Sequence, residues 1–334
     1  MKTQELTDTA KAMMAGDKGL LAIDESIPTC NKRFAEAGIP QTEEKRRAYR
    51  DLIVKTPGLG DCISGAILSD ETIHQQTNEG VPFAQALKDH GIIPGIKVDL
   101  SAKDLAGFPG EKITDGLDGL RERLHEYYQL GARFAKWRAV ITIGHAIPSS
   151  GCIEANMHAL ARYAALCQEA GIVPVVEPEV LMDGNHPIEK CDAATEKGLQ
   201  ELFHQLHRQR VDLKGLILKP NMIVSGKDSP QQADINTVAD VTIQCLLRNV
   251  PAIVPGIAFL SGGQSPQLAS AHLNAMHVKY KSLPWAVTFS YARAIQQPAM
   301  ELWAGKDENI TAAQKALYER ANYNRAARRG EYSE

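Results

Sequence analysis

Charged residues recur two apart at the ends of short apolar runs: Lys97 and Asp99, Lys136 and Arg138, Glu177 and Glu179. Lys219 ends another such run, and Asp24 and Glu25 directly follow the first. Side chains at i and i+2 share one face of a strand, so each pair points the same way. One charged strand end reads as a solvated loop residue. The same signature on four or more strands reads as the lining of a single site. Lys219, between Leu218 and Pro220, is the most suggestive member. A lysine with pKa near 10.4 is neutral only about once in a few thousand molecules at pH 7, and moving it near 7 takes about 4–5 kcal/mol. Desolvation and a neighbouring cation such as Lys136 can supply that. A neutral amine attacks a ketone, and the resulting iminium is an electron sink for C–C cleavage. Glu177 and Glu179 are candidate proton shuttles, and Asp24 a candidate partner for a substrate hydroxyl. The other use of Lys219 on spacing alone is as a phosphate clamp.

Lys97, Lys136, Arg138, Lys219 and Arg293 outnumber the acids expected beside them, which anticipates a cationic site and a phosphorylated ligand. The stretch Ser261-Gly262-Gly263-Gln264-Ser265 fits that ligand. Its glycines let backbone N–H groups converge on an oxyanion, and a helix N-terminus follows. A ligand-free strand-to-helix turn is the alternative, and Arg293 tips the balance toward phosphate.

The elements that must carry these groups alternate. Apolar runs at 19–23, 63–68, 92–98, 134–137, 172–176, 215–218, 252–259 and 286–289 are short and mostly bounded by Gly or Pro, so strands are expected. Helical patterns lie between them at 117–130, 153–170, 193–210, 235–248 and 266–280, with Asp234 and Ser265 as expected N-caps. Buried strands alternating with helices demand parallel crossovers. About eight such units fit a single (β/α)8 TIM barrel of the α/β class, whose site lies at the C-terminal ends of the strands. One domain over 1–334 with helical extensions at both ends is expected. A doubly wound nucleotide-binding sheet is disfavoured: Gly58-Leu59-Gly60 has Ile63 where the third glycine belongs, and it precedes a strand.

Composition narrows the class. The 334 residues are 44% hydrophobic and 23% charged, with a net charge of -3, so there is no basic field for nucleic acid or an anionic membrane. The aromatic residues form no stacking ladder for single strands. The six cysteines contain no C-x-x-C pair and read as free thiols in a reducing compartment. No apolar run approaches about 20 residues, and the first residues lack a signal-like apolar stretch. A soluble, cytoplasmic protein is expected. None of the ten histidines ends an apolar run beside carboxylates, so a metal site is not expected.

Several strings resemble class I fructose-bisphosphate aldolase, in family order and over nearly the whole chain. They are Leu21-Ala22-Ile23-Asp24-Glu25-Ser26, Gly95-Ile96-Lys97-Val98-Asp99, Phe134-Ala135-Lys136-Trp137-Arg138 and Val176-Glu177-Pro178-Glu179. Leu218-Lys219-Pro220-Asn221-Met222, Phe259-Leu260-Ser261-Gly262-Gly263-Gln264-Ser265 and Thr288-Phe289-Ser290-Tyr291-Ala292-Arg293 complete the set. The resemblance implies reversible cleavage of fructose 1,6-bisphosphate into dihydroxyacetone phosphate and glyceraldehyde 3-phosphate, with no cofactor, no metal and a homotetramer. It implies Lys219 as Schiff-base lysine, Glu177 as general acid/base, Asp24 and Lys136 as assistants, and Glu179 as a supporting carboxylate beside the lysine. Ser261, Gly262, Gly263 and Arg293 match the phosphate site of the ketone half. Lys97, Ser26, Arg138 and the pair Lys32-Arg33 match contacts to substrate or its other phosphate.

Three departures from the family pattern stand out. Ile27-Pro28-Thr29 replaces the usual Thr-Gly-Ser, implying a stiffer loop in which Thr29 keeps a hydroxyl. Ala292 replaces a glycine, implying a less free clamp at Arg293. The sequence ends at Glu331-Tyr332-Ser333-Glu334, without the long tyrosine-ending tail of animal members; if that tail assists the enamine proton transfer in the family, the resemblance implies another group for it here or a slower step. Two other readings remain open at this level: a non-catalytic sugar-phosphate-binding or scaffold homologue, and cleavage of sedoheptulose 1,7-bisphosphate as a main reaction.

Overall fold

The computed structural model describes residues 2–334. Eight strands close into a barrel: β1 (Gly19–Ile23), β2 (Ile63–Leu68), β3 (Ile93–Lys97), β4 (Phe134–Ile141), β5 (Val173–Val180), β6 (Ile217–Leu218), β7 (Gly256–Phe259) and β8 (Ala286–Tyr291). Each pairs in parallel with its sequence neighbours, and β8 closes on β1 with Leu20 opposite Ser290. Helices cover the outside, which makes this the expected (β/α)8 barrel. A small antiparallel ribbon, Ala102–Asp104 against Lys112–Thr114, is inserted after β3. No helix among the described residues is long and apolar enough to cross a membrane.

The expected helices form; Ile235–Asn249 and Pro266–Lys279 start where expected, and the other three start elsewhere. Ser150–Ala170 begins three residues before the sequence pattern and Ile188–Arg208 five before, because Ser149 and Pro187 provide the entry points. Asp234 accepts from the N–H groups of Asn236 and Thr237, and Ser265 from that of Leu268, so both expected N-caps act as such. Strand bounds shift as well, at β6 to Ile217–Leu218 and at β8 to Tyr291 among others. β4 and β5 run four residues beyond their apolar runs, so the charged pairs lie inside the strands rather than after them. The 252–259 run is extended only from Gly256, because 251–254 turn.

Alternation along each strand sorts the side chains. Leu21, Ile23, Ala135, Trp137, Val176, Leu218 and Phe289 face the helices and belong to the main core. Leu20, Ala22, Ile67, Phe134, Val173, Val175, Ile217 and Ala258 form a second core inside the barrel. The helix Lys2–Met14 plugs that inner core from below, bringing Leu6, Ala10, Met13 and Met14 into it. Leu6, Met13 and Met14 each contribute about 1.5–3 kcal/mol by this burial. The packing there leaves no room for extra atoms. A Cβ on Gly95 would stand 2.3 Å from the Phe134 ring, and one on Gly256 would stand 2.3 Å from Met14 Sδ. The barrel is filled at its lower end and open at its upper one.

Candidate active site

Above the inner core the same inward-facing positions turn polar. Phe134 is followed on its face of β4 by Lys136 and Arg138, and Val173 and Val175 on β5 by Glu177 and Glu179. Ile217 gives way to Lys219, and Ala22 to Asp24. These side chains line a cavity of about 740 Å³ at the C-terminal ends of the strands. All fifteen residues anticipated for the site reach it: Asp24, Ser26, Thr29, Lys32, Arg33, Lys97, Lys136, Arg138, Glu177, Glu179, Lys219, Ser261, Gly262, Gly263 and Arg293.

Lys219 is held on both sides although β6 is only two residues long. Its N–H donates to the Val176 carbonyl (2.8 Å), and the next residue's carbonyl accepts from Leu260 N–H (3.1 Å). The Asn221 side chain then accepts from Val180 N–H (2.9 Å), taking over the pairing where the strand ends. The Lys219 side chain is only 4% exposed, and its Nζ lies 3.3 Å from Glu177 Oε1. Glu177 Oε2 lies 3.3 Å from Lys136 Nζ, whose nearer partner is Asp24 Oδ2 at 2.7 Å. One carboxylate thus sits between two ammonium groups, and a second carboxylate anchors the outer one. Glu177 Oε2 is buried with no hydrogen-bond partner among the described residues.

Burial by itself would raise the Asp24 carboxyl, but the ammonium groups of Lys136 and Lys219 outweigh it and hold it down at about 2. Burial likewise would lower Lys136; Asp24, Glu177 and Asp99 outweigh it and raise it above the usual lysine range. Arg138 is raised in the same way against burial, chiefly by Glu179. Its guanidinium is bonded to Glu179, so the carboxylate in ion-pair reach of Lys219 is Glu177. Lys97 bonds Asp99 at 2.7 Å, and Arg33 bonds Glu25 at 2.5 Å.

These pairings correct the expectation of a cationic site. The lining acids Asp24, Glu25, Glu36, Asp99, Glu177, Glu179, Asp183 and Glu301 outnumber by one the lining bases Lys32, Arg33, Lys97, Lys136, Arg138, Lys219 and Arg293. Buried charges require partners, and the strand-end bases take theirs from within the site. Among the described residues, only Lys32 and Arg293 of these bases form no ion pair with a carboxylate.

Two further expectations change. Ile27-Pro28-Thr29 is not a loop but the first turn of the helix Ile27–Glu36, where proline is accommodated because its missing N–H would have no helical partner. Ser26 stands at the N-cap, its Oγ 3.0 Å from Thr29 Oγ1. Ala292 has φ −106°, outside the left-handed region that favours glycine. Gly262 (φ 60°) and Gly263 (φ 94°) do need their freedom, and the Arg293 guanidinium packs 3.4 Å from where a Gly263 Cβ would be.

A family model described as fructose-bisphosphate aldolase class-I matches residues 5–334. The chain belongs to the class I fructose-bisphosphate aldolase family. It is 59% identical over 334 residues to a probable fructose-bisphosphate aldolase class 1 of Xanthomonas campestris, covering 99% of each chain. It is 49% identical to the cytosolic fructose-bisphosphate aldolase 5 of Arabidopsis thaliana, covering 98% of this chain and 92% of that one. Its structure matches the Plasmodium falciparum aldolase, solved with TRAP and a small-molecule inhibitor, at a TM-score of 0.98 and 44% identity, over 100% of this chain and 96% of that one. As a class I aldolase it is a lyase that cleaves fructose 1,6-bisphosphate, and class I chemistry runs through a lysine Schiff base.

The aldolase site also contains groups that spacing did not single out. Glu25 accepts from Arg33, from Arg50 (2.7 Å) and from Gln296 Nε2 (2.8 Å), which ties three separate helices to the rim. Arg50 and Gln296 lie on helices Glu43–Val54 and Arg293–Trp303 and carry no local signal of this role. Asp99 stood out only as a strand-end charge, yet it fixes Lys97 through both its carboxylate and its backbone carbonyl. Among the described residues no group of three or more His, Cys, Asp or Glu is arranged to hold a metal ion.

Proposed function

We propose that Lys219 forms the Schiff base in this aldolase and that Glu177 carries the protons of its formation and cleavage. The supporting observation is the placement of Glu177 between Lys219 and Lys136, with one carboxylate oxygen free of hydrogen bonds. Lys219 passes a proton to Glu177 and its amine attacks the C2 ketone of fructose 1,6-bisphosphate, forming a carbinolamine. Glu177 returns the proton to the departing hydroxyl, and water leaves an iminium. The iminium draws the C3–C4 electron pair while the C4 hydroxyl loses its proton. That bond breaks to release glyceraldehyde 3-phosphate and leave an enamine. Protonation at C3 and hydrolysis of the iminium give dihydroxyacetone phosphate and free Lys219.

Asp24 is a poor base for the C4 hydroxyl. Against burial, the ammonium groups of Lys136 and Lys219 hold its carboxyl at about 2. Its role is to remain an anion that positions Lys136, whose ammonium donates to developing charge on oxygen. Glu177 is the better acceptor of the C4 proton. Ser261, Gly262, Gly263 and Arg293 receive the phosphate of the ketone half. Lys32 with Arg33, Lys97, Arg138, Ser26 and Thr29 face the other end, and Glu179 holds Arg138 in place. The unpaired Lys32 and Arg293 supply charge that the ligand itself must neutralise.

We further propose that a single domain over 1–334 assembles as a homotetramer acting in the cytoplasm, a location carried by the cytosolic relatives although a chloroplastic one also matches. Sedimentation of the purified protein checks the assembly.

Incubation with dihydroxyacetone phosphate and borohydride tests the mechanism. Peptide mass mapping should place the reduced adduct on Lys219, and an adduct on another lysine overturns the assignment. Turnover of Lys219→Met should fall by about 10⁴-fold or more, because the covalent intermediate is lost. Wild-type cleavage should be unchanged by a chelator.

A further inference from the structure

Behind the turn Ser261–Gly263 stands a buried pair that the chemistry above does not use. Gln264 and His272 are 8% and 2% exposed, and His272 Nδ1 lies 2.6 Å from Gln264 Oε1. Gln264 Nε2 lies 3.0 Å from the Ser261 carbonyl. These contacts settle both orientations. The amide nitrogen must face Ser261, because a carbonyl cannot accept from another carbonyl. Gln264 Oε1 then faces the ring and can only accept, so His272 carries its proton on Nδ1 and donates. The Gln264 N–H also bonds the Ser261 carbonyl, at 3.0 Å, so that carbonyl accepts from both ends of one residue. His272 Nε2 has no partner among the described residues. All its bonding therefore goes through Gln264 to the turn.

Such an arrangement matters because Gly262 and Gly263 are both at positive φ, where glycine has the most conformational freedom to lose. Something must hold that backbone in the shape that aims its N–H groups at an oxyanion. We propose that His272 and Gln264 are positioning residues for the phosphate turn: His272 orients the Gln264 amide, and that amide pins the Ser261 carbonyl so that the Ser261–Gly263 backbone is preformed for phosphate. The inference rests on the assignment of the ketone-half phosphate to this turn. Neither side chain touches the substrate, so the effect falls on ligand affinity and leaves the chemical step alone.

The probe is dihydroxyacetone phosphate, read as the concentration giving half-maximal borohydride-trapped adduct, alongside KM and kcat for cleavage. Gln264→Glu keeps the size of the side chain and loses the donor to Ser261. It should raise the half-saturating concentration and KM about tenfold, the effect of losing the side-chain bond to the Ser261 carbonyl and setting a carboxylate oxygen against it, with kcat within about twofold of wild type. His272→Asn retains a donor near the Nδ1 position and should stay close to wild type. His272→Phe fills the volume of the ring without a donor and should behave like Gln264→Glu. A role in packing alone predicts the reverse order, Phe tolerated and Asn not, and that order overturns the proposal. Should His272→Phe fail to fold, Gln264→Met, which removes the donor without adding a charge beside the turn, decides in its place. Arg293→Ala separates the two claims. If it weakens dihydroxyacetone phosphate while Gln264→Glu and His272→Phe do not, the turn holds phosphate and the positioning role is wrong. If Arg293→Ala also changes nothing, the phosphate lies elsewhere and both claims fall.

Discussion

The two ends of the barrel are built from the same eight strands by the same alternation, and they differ only in what the inward positions carry. At the lower end those positions are apolar, and Met14 of the first helix and Phe134 close the space down to the Cα atoms of Gly256 and Gly95. At the upper end they carry Asp24, Lys136, Glu177 and Lys219, and the space stays open. Dispersion and apolar burial close the first end. Buried charge that cannot interdigitate keeps the second end open, and it is held in place by ion pairs rather than by volume. The lower end should therefore control stability without touching turnover, and the upper end the reverse.

The sharpest way to break that comparison is at Glu177. Glu177→Gln keeps the shape and removes the proton carrier, so kcat should fall about 10²–10⁴-fold. A variant turning over at the wild-type rate removes Glu177 from the chemistry. At the other end, Met13→Ala leaves a cavity in the inner core and should lose about 2–4 kcal/mol in urea denaturation, with kcat per folded molecule unchanged. A large kcat loss in Met13→Ala would show that the plug and the site are coupled.

How much of this was legible in the sequence follows the same division. The inward charges were readable because a strand repeats every two residues, so Lys136 with Arg138 and Glu177 with Glu179 declare their shared face. What the spacing could not carry was pairing between distant segments. Arg50 meets Glu25 across 25 positions and Gln296 meets it across 271, and neither has a periodic signature. The same blindness made the site look cationic, since a run of bases is visible locally while the acids that neutralise them come from other strands. Strand ends were misplaced at β4 and β5 because charge normally marks a boundary, and here it continues the strand into a cavity.

Acid should weaken both ends together. His272 lies behind the phosphate turn and is pushed down to about 4 by burial. His277 bonds the Val287 carbonyl near the start of β8 and is pushed down to about 4 by burial, with Arg328 and Lys281 adding to the effect. Between pH 6.5 and about 4 the unfolded chain binds these protons and the folded one does not, so stability falls as pH drops through that window. The loss should be about 2–3 kcal/mol per histidine by pH 4. Asp24, lowered from 3.8 to about 2, adds a further loss only below pH 3.8. Urea denaturation from pH 7 to 4.5 checks this. His272→Asn should flatten the slope by roughly half, and an unchanged slope would mean that His272 does not stay neutral.

The smallest expected effect lies where the two ends meet. Ala292 lines the cavity, directly precedes Arg293 and packs on the inner core, and it replaces the family's glycine. Its φ of −106° lies outside the left-handed region that favours glycine. Ala292→Gly adds freedom to the unfolded chain and should destabilise by about 0.5–1 kcal/mol. Its KM and kcat should stay within about twofold of the starting enzyme, because Arg293 begins the helix Arg293–Trp303 and is aimed by that helix rather than by the residue before it. A severalfold gain in affinity for dihydroxyacetone phosphate would show instead that the alanine restrains the clamp, and would place residue 292 with the upper end of the barrel rather than with its packed core.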